Sequence, residues 1–537
     1  MTAHTALLTL TCFALCTNPA WSQATPAPVA QHDVFELRLT SDEAFTNPFT
    51  DARLSAEFRS PSGQRFSVPG FYFGGKTWMV RFAPDRAGQW AYDAKLTGKR
   101  KTDRRSGTFR CVPSRRHGFV RVSKRNPYRL EYDGGKPFYP IGVQTCGYFK
   151  PDLDGPNEAG SWKTVEPEVW AREFQGSVNL IRWQLGAGTK KGCALPLIPT
   201  GGPPDRYDTE LARQMDELLA LQRAHGFSHI MIPFQDMSLW GSDTTSFGEN
   251  RDVDGYKSLK APNLALQEAY LRYIVARFGA YVDIWELFNE DSYAPDDYLA
   301  RLSAVIREAD PYRHPITTNY TRSTEGWCEI VTWHGYMSIP AAETDAWLAD
   351  KIGRLKSFGK PVLNTEFGNK GWLSNVDPVK WRIAVWTAYM NEANILFWGM
   401  SGVKTKPGRT QGNSNAYLGP DSRQHFRVLD EFTRDLPVDL RPVECTYSQQ
   451  SDLRIYALSN RKTSVVYVHH FADHEKPWGR NERIYVHTGP GRFRVTWIDP
   501  SDGKTVHSGA AETRQQYLFF EMPPVTIDLA CRLDREN

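Results

Sequence analysis

Between residues 118 and 436 the sequence repeats one pattern eight times: a short apolar run, with helical spacing between successive runs. The runs are FYPIGV (138–143), VNLIRW (178–183), HIMIPF (229–234), YVDIWELF (281–288), PITTNY (315–320), IVTWHGY (330–336), PVLNTEF (361–367) and NILFWGM (394–400). Stretches such as TELARQMDELLALQRAHG and LALQEAYLRYIVARFG lie between them, each closed by the glycine that commonly stops a helix. Eight β-then-α units predict a (β/α)8 TIM barrel. The connections point the same way. Helix-to-strand links are tight (Gly226 to His229, Gly279 to Tyr281, Glu392 to Asn394), whereas strand-to-helix links at about 144–166, 184–207, 235–263 and 399–422 are long. A barrel enzyme builds its site from the long set, at the C-terminal ends of the strands.

The flanks read differently. Residues 32–113 hold short alternating segments, among them VFELRL, TWMVRFAP and GQWAYDAKL, separated by turns such as Pro61-Ser62-Gly63. They predict an N-terminal β-sandwich. A second all-β region, 440–537, carries DLRIYALS, TSVVYVHH and RFRVTWIDP and predicts a C-terminal β-sandwich. Residues 1–24 contain an apolar stretch from Ala6 to Cys16, too short to cross a membrane, then Ser22-Gln23-Ala24. The expectation is a signal peptide cleaved near Ala24 and a secreted or periplasmic protein. Lys and Arg total 65 against 61 Asp and Glu, a balance that gives no reason to expect nucleic acid as a partner. No membrane insertion is expected, and oligomeric state is left open. Outside the leader, six cysteines are scattered without a C-x-x-C, so their pairing is open and a zinc site is not expected. His469-His470 falls in an alternating run and reads as strand rather than as a ligand pair.

Polar residues gather at the predicted strand ends: Arg182 near strand two, Asn289 and Glu290 after strand four, His334 and Tyr336 on strand six, Glu366 on strand seven and Trp398 at strand eight. Glu290 and Glu366 are placed to face each other across the barrel mouth. Two facing carboxyl groups are what retaining glycoside hydrolysis requires, one as nucleophile and one as acid/base. The acid needs a raised pKa, and the nucleophile benefits from a cation and a hydroxyl donor, for which Arg182 and Tyr336 are the right types. Asn289 can donate to a sugar hydroxyl, and Trp398 can floor the sugar or pack in the core. Asp236, Trp240 and Trp183 are candidate sugar contacts, equally placed for packing. In the stretch DIWELFNED, Asp283 reads as structural or solvent-exposed, Glu286 as a buried partner of an arginine, and Asp291 as a loop acid.

This ordered set resembles clan A glycoside hydrolases, and is most similar to the family 5 cellulase-like barrels. That resemblance implies Glu290 as acid/base and Glu366 as nucleophile, with Arg182, Asn289, His334, Tyr336 and Trp398 binding substrate, and no metal or organic cofactor; Asp236 joins the substrate-binding set as this chain's own candidate. One departure concerns strand three, where the family's histidine is replaced by IPFQDM, with Gln235 or Asp236 in its place. The segments GFYFGGKTWMVRFAP and GQWAY resemble an immunoglobulin-like domain of unassigned function that precedes such barrels. The expected activity is hydrolysis of a β-linked polysaccharide or oligosaccharide, endo-acting in preference to exo-acting. A carbohydrate-binding protein without catalysis is the alternative from another class.

Overall fold

The structure is a computed structural model that describes residues 27–144, 152–154, 163–188, 194–199, 203–234, 261–290, 294–369, 377–398, 418–448, 452–478 and 482–536. The leader, Asp236, Trp240 and Asp291 lie outside the described residues.

The central region is a parallel barrel. Its strands are β1 (Ile141–Gln144), β2 (Leu180–Gly188), β3 (Ser228–Ile232), β4 (Ile284–Glu286), β5 (Ile316–Thr317), β6 (Val331–Met337), β7 (Val362–Asn369) and β8 (Ala393–Phe397). Ladders join β1 through β5 in order, and β1 to β8, β7 and β6 on the other side. A further strand, Ala194–Pro199, pairs in parallel with the upper part of β2.

The helices are α1 (Pro167–Phe174), α2 (Thr209–Ala224), α3 (Ala261–Phe278), α4 (Asp296–Ala309), α5 (Ala341–Lys356), α6 (Pro378–Met390) and α7 (Pro420–Thr433). This corrects the expectation of eight β-then-α units: residues 318–330, between β5 and β6, contain turns and no helix. The seam there is crossed by the backbone bond from Glu329 N to Ile316 O (2.8 Å). Two threonine hydroxyls also span it, Thr317 Oγ1 to Ile330 O (2.7 Å) and Thr332 Oγ1 to Thr318 O (2.9 Å).

The bottom of the barrel is plugged. A three-stranded meander (Val120–Val122, Leu130–Tyr132, Pro137–Phe138) packs Val120, Leu130 and Phe138 against Leu180, Ile230, Ile284, Leu363 and Leu396. Burying a side chain of this size contributes roughly 1.5–3 kcal/mol. Asp283 ties the plug in place, accepting from Val120 N (3.3 Å) and His229 N (2.9 Å). Access to the barrel is therefore from the opposite, C-terminal end.

On one flank, sheets of five and three strands enclose an aromatic core that includes Phe35 stacked on Phe109 and Phe58 on Phe82. The strand Phe35–Thr40 alternates strictly between buried and exposed, the period-2 pattern of a sheet with one face in the core. Arg81 anchors this unit to α2 through Asp216. On the other flank, sheets of six and three strands surround Phe493, Trp497 and Phe520. Arg382 of α6 holds this unit through a bidentate pair with Asp528 (2.7 and 3.0 Å). Among the described residues Cys111, Cys328, Cys445 and Cys531 are free thiols.

Candidate active site

Arg182 organises the mouth. β2 continues six residues past it, so it sits lower than the strand-end position expected from sequence, and it is fully buried. Its Nε and Nη2 donate to both oxygens of Glu286 (2.9 and 2.6 Å), Nη2 also to Asn289 Oδ1 (2.7 Å), and Nη1 to Glu366 Oε1 (2.8 Å). Gln144 Oε1, at the end of β1, accepts from Nη1 as well. Burial works against the charge, but Glu286 and Glu366 outweigh it and hold the guanidinium more firmly protonated than usual. Glu286 is thus consumed by Arg182 and is itself fully buried.

Glu366 owes its direction to a bulge in β7. Trp333 pairs with Asn364 but His334 with Glu366, and against β8 the pairing jumps from Asn364 to Phe367. β7 therefore carries one extra residue relative to both neighbours at Thr365–Glu366, a device that re-aims side chains beside active sites. Asn364 Oδ1 accepts from Glu366 N (3.0 Å) inside the bulge. The Glu366 carboxylate, 4% exposed, accepts from Arg182 and from the Tyr336 hydroxyl. Burial and the adjoining Glu366 charge push the Tyr336 phenol well above its ordinary value, so it stays a donor.

Glu290 is held differently. It lies beyond the β4 ladder with φ +48°, a left-handed conformation that non-glycine residues seldom adopt and that clusters at functional sites. Its backbone N–H donates to Asn319 Oδ1 (3.3 Å), from the end of β5. Its side chain is 48% exposed, and Oε1 accepts from His334 Nδ1 (2.9 Å), which also lies 3.4 Å from Glu366 Oε2. The expectation of a raised pKa is not met in this arrangement. The His334 hydrogen bond, opposed by burial, holds the Glu290 carboxyl below its usual value.

Glu290, His334 and Glu366 place one ligand atom each within 4.8 Å of one another, so these three are where a metal could be shared. Arg182 already occupies Glu366 Oε1, and His334 Nδ1 already bonds Glu290 Oε1. Trp398 lies 6.0 Å from the Tyr336 ring at 70° and is buried, with its backbone N–H on Phe367 O. Asn289 presents Oδ1 to Arg182, which leaves its amide nitrogen as the donor for a ligand. Trp183 belongs to the core: it is buried and donates to Gln222.

Of the sequence candidates, the structure gathers Arg182, Asn289, Glu290, His334, Tyr336, Glu366 and Trp398 at one end of the barrel. Gln144 and Asn319 were missed. Both are polar residues closing an apolar run, and the rule that found Glu366 reaches them too.

Residues 28–97 match a family described as a domain of unknown function (DUF5060). No curated protein matches the sequence. Among solved structures, a candidate glycoside hydrolase from Bacteroides vulgatus is similar over 95% of this chain and 100% of that one, with a TM-score of 0.62 and 18% identity. A family 5 mannosidase from Rhizomucor miehei aligns with 58% of this chain and 96% of its own, at a TM-score of 0.42 and 13% identity. An endo-β-1,4-mannanase from Thermotoga petrophila aligns with 72% of this chain and 92% of its own, at 0.37 and 14%. The Bacteroides structure shares this chain's multidomain fold, a barrel with β-sheet domains on either side.

Proposed function

We propose that this chain is an exported retaining glycoside hydrolase that cleaves a β-linked glycan by double displacement. The observation that carries the reading is the separation of its two carboxylates. Retaining enzymes hold them roughly 5–5.5 Å apart and inverting enzymes roughly 6.5–9.5 Å, to admit a water. Here one oxygen of Glu290 and one of Glu366 lie within 4.8 Å.

Glu366 attacks the anomeric carbon while Glu290 gives its proton to the departing glycosidic oxygen, and a glycosyl ester of Glu366 forms. Glu290 then takes a proton from water, the oxygen attacks the anomeric carbon, and the ester breaks to free Glu366. Arg182 and Tyr336 hold Glu366 in line, and Asn289 supplies a donor to the sugar beside the reacting carbon. A sugar entering between Glu290 and His334 removes the hydrogen bond that keeps Glu290 acidic, and so readies it as a proton donor.

The test is proton NMR of the first product anomer during hydrolysis of β-linked oligosaccharides. The β-anomer is expected first, and initial release of the α-anomer rules the scheme out. Product sizing on a polysaccharide separates internal cleavage, which we favour, from end-wise release. Added azide should partly restore Glu290→Ala by attacking the glycosyl ester. Binding of oligosaccharide with no released reducing ends would instead make the chain a lectin-like module.

A further inference from the structure

Gln144 ends β1, is 2% exposed, and is none of the residues that the family resemblance supplies. The layer beneath it fixes where its side chain goes. A Cβ added at Gly142, two residues back along β1, would meet Leu396 Cγ at 2.4 Å and Leu180 O at 2.8 Å, so that position faces the barrel axis. Alternate residues of a strand share a face, so Gln144 points the same way, one layer higher and paired in register with Arg182. Under it the side chains of Leu180 and Leu396 belong to the apolar floor of the barrel.

Arg182 decides which end of the Gln144 amide is engaged. A guanidinium has donors only and no acceptor. Arg182 makes five hydrogen bonds, two to Glu286 and one each to Asn289, Gln144 and Glu366, which uses every N–H it has. The atom that Gln144 turns toward Arg182 must therefore be Oε1, and the donor end, Nε2, faces elsewhere. Nε2 is buried and has no hydrogen-bond partner among the described residues. Arg182 beside it offers no acceptor, and the leucine side chains below offer only carbon. The mouth is the side that remains. Gln144 Oε1 and Glu366 Oε1 accept from the same nitrogen, Nη1, so this amide lies next to the Glu366 carboxylate. Asn289 repeats the arrangement on Nη2, its Oδ1 accepting and its nitrogen left as donor. Arg182 thus has no N–H to give a ligand; it turns two neutral amides so that theirs meet one.

We propose that Gln144 is a specificity-determining residue whose Nε2 donates to one hydroxyl oxygen of the sugar bound at Glu366, a hydroxyl other than the one Asn289 meets. The proposal rests on the reading of the mouth as a β-glycan hydrolase site. A buried donor with no other partner favours a ring that carries this hydroxyl and rejects one that lacks it.

The test measures kcat/KM of the full chain on β-linked disaccharides of glucose, mannose and galactose, and on each with one hydroxyl of the reacting ring removed. Two variants are compared with the parent. Gln144→Met removes donor and acceptor together, whereas Gln144→Glu keeps an acceptor toward Arg182 and removes only the N–H groups. In the parent, removing one particular hydroxyl should lower kcat/KM about 100-fold or more. In both variants the loss at that position should shrink to roughly 10-fold or less, with the losses at other positions unchanged. Each comparison is made within one protein, so a general decline from a displaced Arg182 cancels. Losses preserved at every position make Gln144 a packing residue and overturn the proposal while the hydrolase reading stands. A parent indifferent to every single hydroxyl overturns it too, and that result needs no variant. If the parent hydrolyses none of the disaccharides, the hydrolase reading fails, and calorimetric binding of the same sugars decides for Gln144. The parent's affinity, and neither variant's, should then depend on that one hydroxyl; equal dependence in all three proteins, or no binding, overturns the proposal.

Discussion

Two groups of buried arginine and carboxylate occupy this molecule, and they are built on different charge counts. At the junction of the N-terminal unit and the barrel, Arg81 and Arg277 share Asp216, and Arg81 also bonds Glu36. Arg277 further donates to the Tyr273 hydroxyl, and Arg81 to Arg277 O. Two cations meet two carboxylates. At the barrel mouth the single Arg182 faces Glu286 and Glu366, with Glu290 beside them. A cluster selected only to hold a fold has every reason to balance, because an uncompensated buried charge is costly. The mouth departs from balance and also collects buried atoms with no hydrogen-bond partner among the described residues: Gln144 Nε2, Asn319 Nδ2, His334 Nε2 and Asn364 Nδ2. Surplus carboxylate beside unpartnered polar atoms is what a polar ligand could satisfy.

Substitutions sharpen or break that contrast. The largest effect belongs to Glu366→Gln, which keeps the shape but removes the carboxylate proposed as nucleophile. Turnover on a β-linked oligosaccharide should fall on the order of 10⁴-fold or more, with the thermal midpoint little changed. Retention of a tenth of the activity would remove the mouth's claim to chemistry. Next, Asp216→Ala strands two buried guanidiniums and should cost about 3–5 kcal/mol in urea unfolding, while turnover per folded molecule stays the same. If stability held and turnover fell, the two clusters would have exchanged roles.

His334→Gln has a smaller and more specific consequence. Under the proposed scheme protonated Glu290 is the competent acid, so kcat/KM falls as pH rises through the Glu290 pKa in the free enzyme. Removing the His334 hydrogen bond lifts that pKa, so the basic limb of the profile should move to higher pH. A limb that stays put or moves down means that His334 does not govern the acid. Smallest of all, Glu36→Gln removes a partner that is 31% exposed, and should cost under about 1 kcal/mol.

Much of the fold and the mouth is legible in the sequence. Eight apolar runs spaced by helical segments indicate a barrel because parallel strands need crossovers, and the long loops point to the working end. In DIWELFNED the acids spread over three levels: Asp283, just before β4, at the plug, Glu286 on Arg182, and Glu290, past the strand, at the rim. Other features were not legible, for physical reasons. The bulge that turns Glu366 is a one-residue register slip, and its residues, Thr365 and Glu366, carry no turn signature. The left-handed Glu290 looks like any glutamate in a string of letters. The missing helix after β5 hid because PITTNY is as strand-like as its seven companions, while residues 318–330 form turns.

The helix-free seam between β5 and β6 has a consequence for the acid/base candidate. Glu290 follows β4, yet each of its two restraints comes from a different lip of that seam. Asn319, just past β5, grips its backbone, and His334, on β6, grips its carboxylate. The lips themselves are held mainly by threonine hydroxyls and not by a continuous ladder. Glu290 therefore works like a jewel in a two-pronged setting. A force that spreads the prongs, whether heat, denaturant or a bulky ligand, would act on Glu290 through both restraints, while Glu366 is held separately by Arg182 and by its bulge.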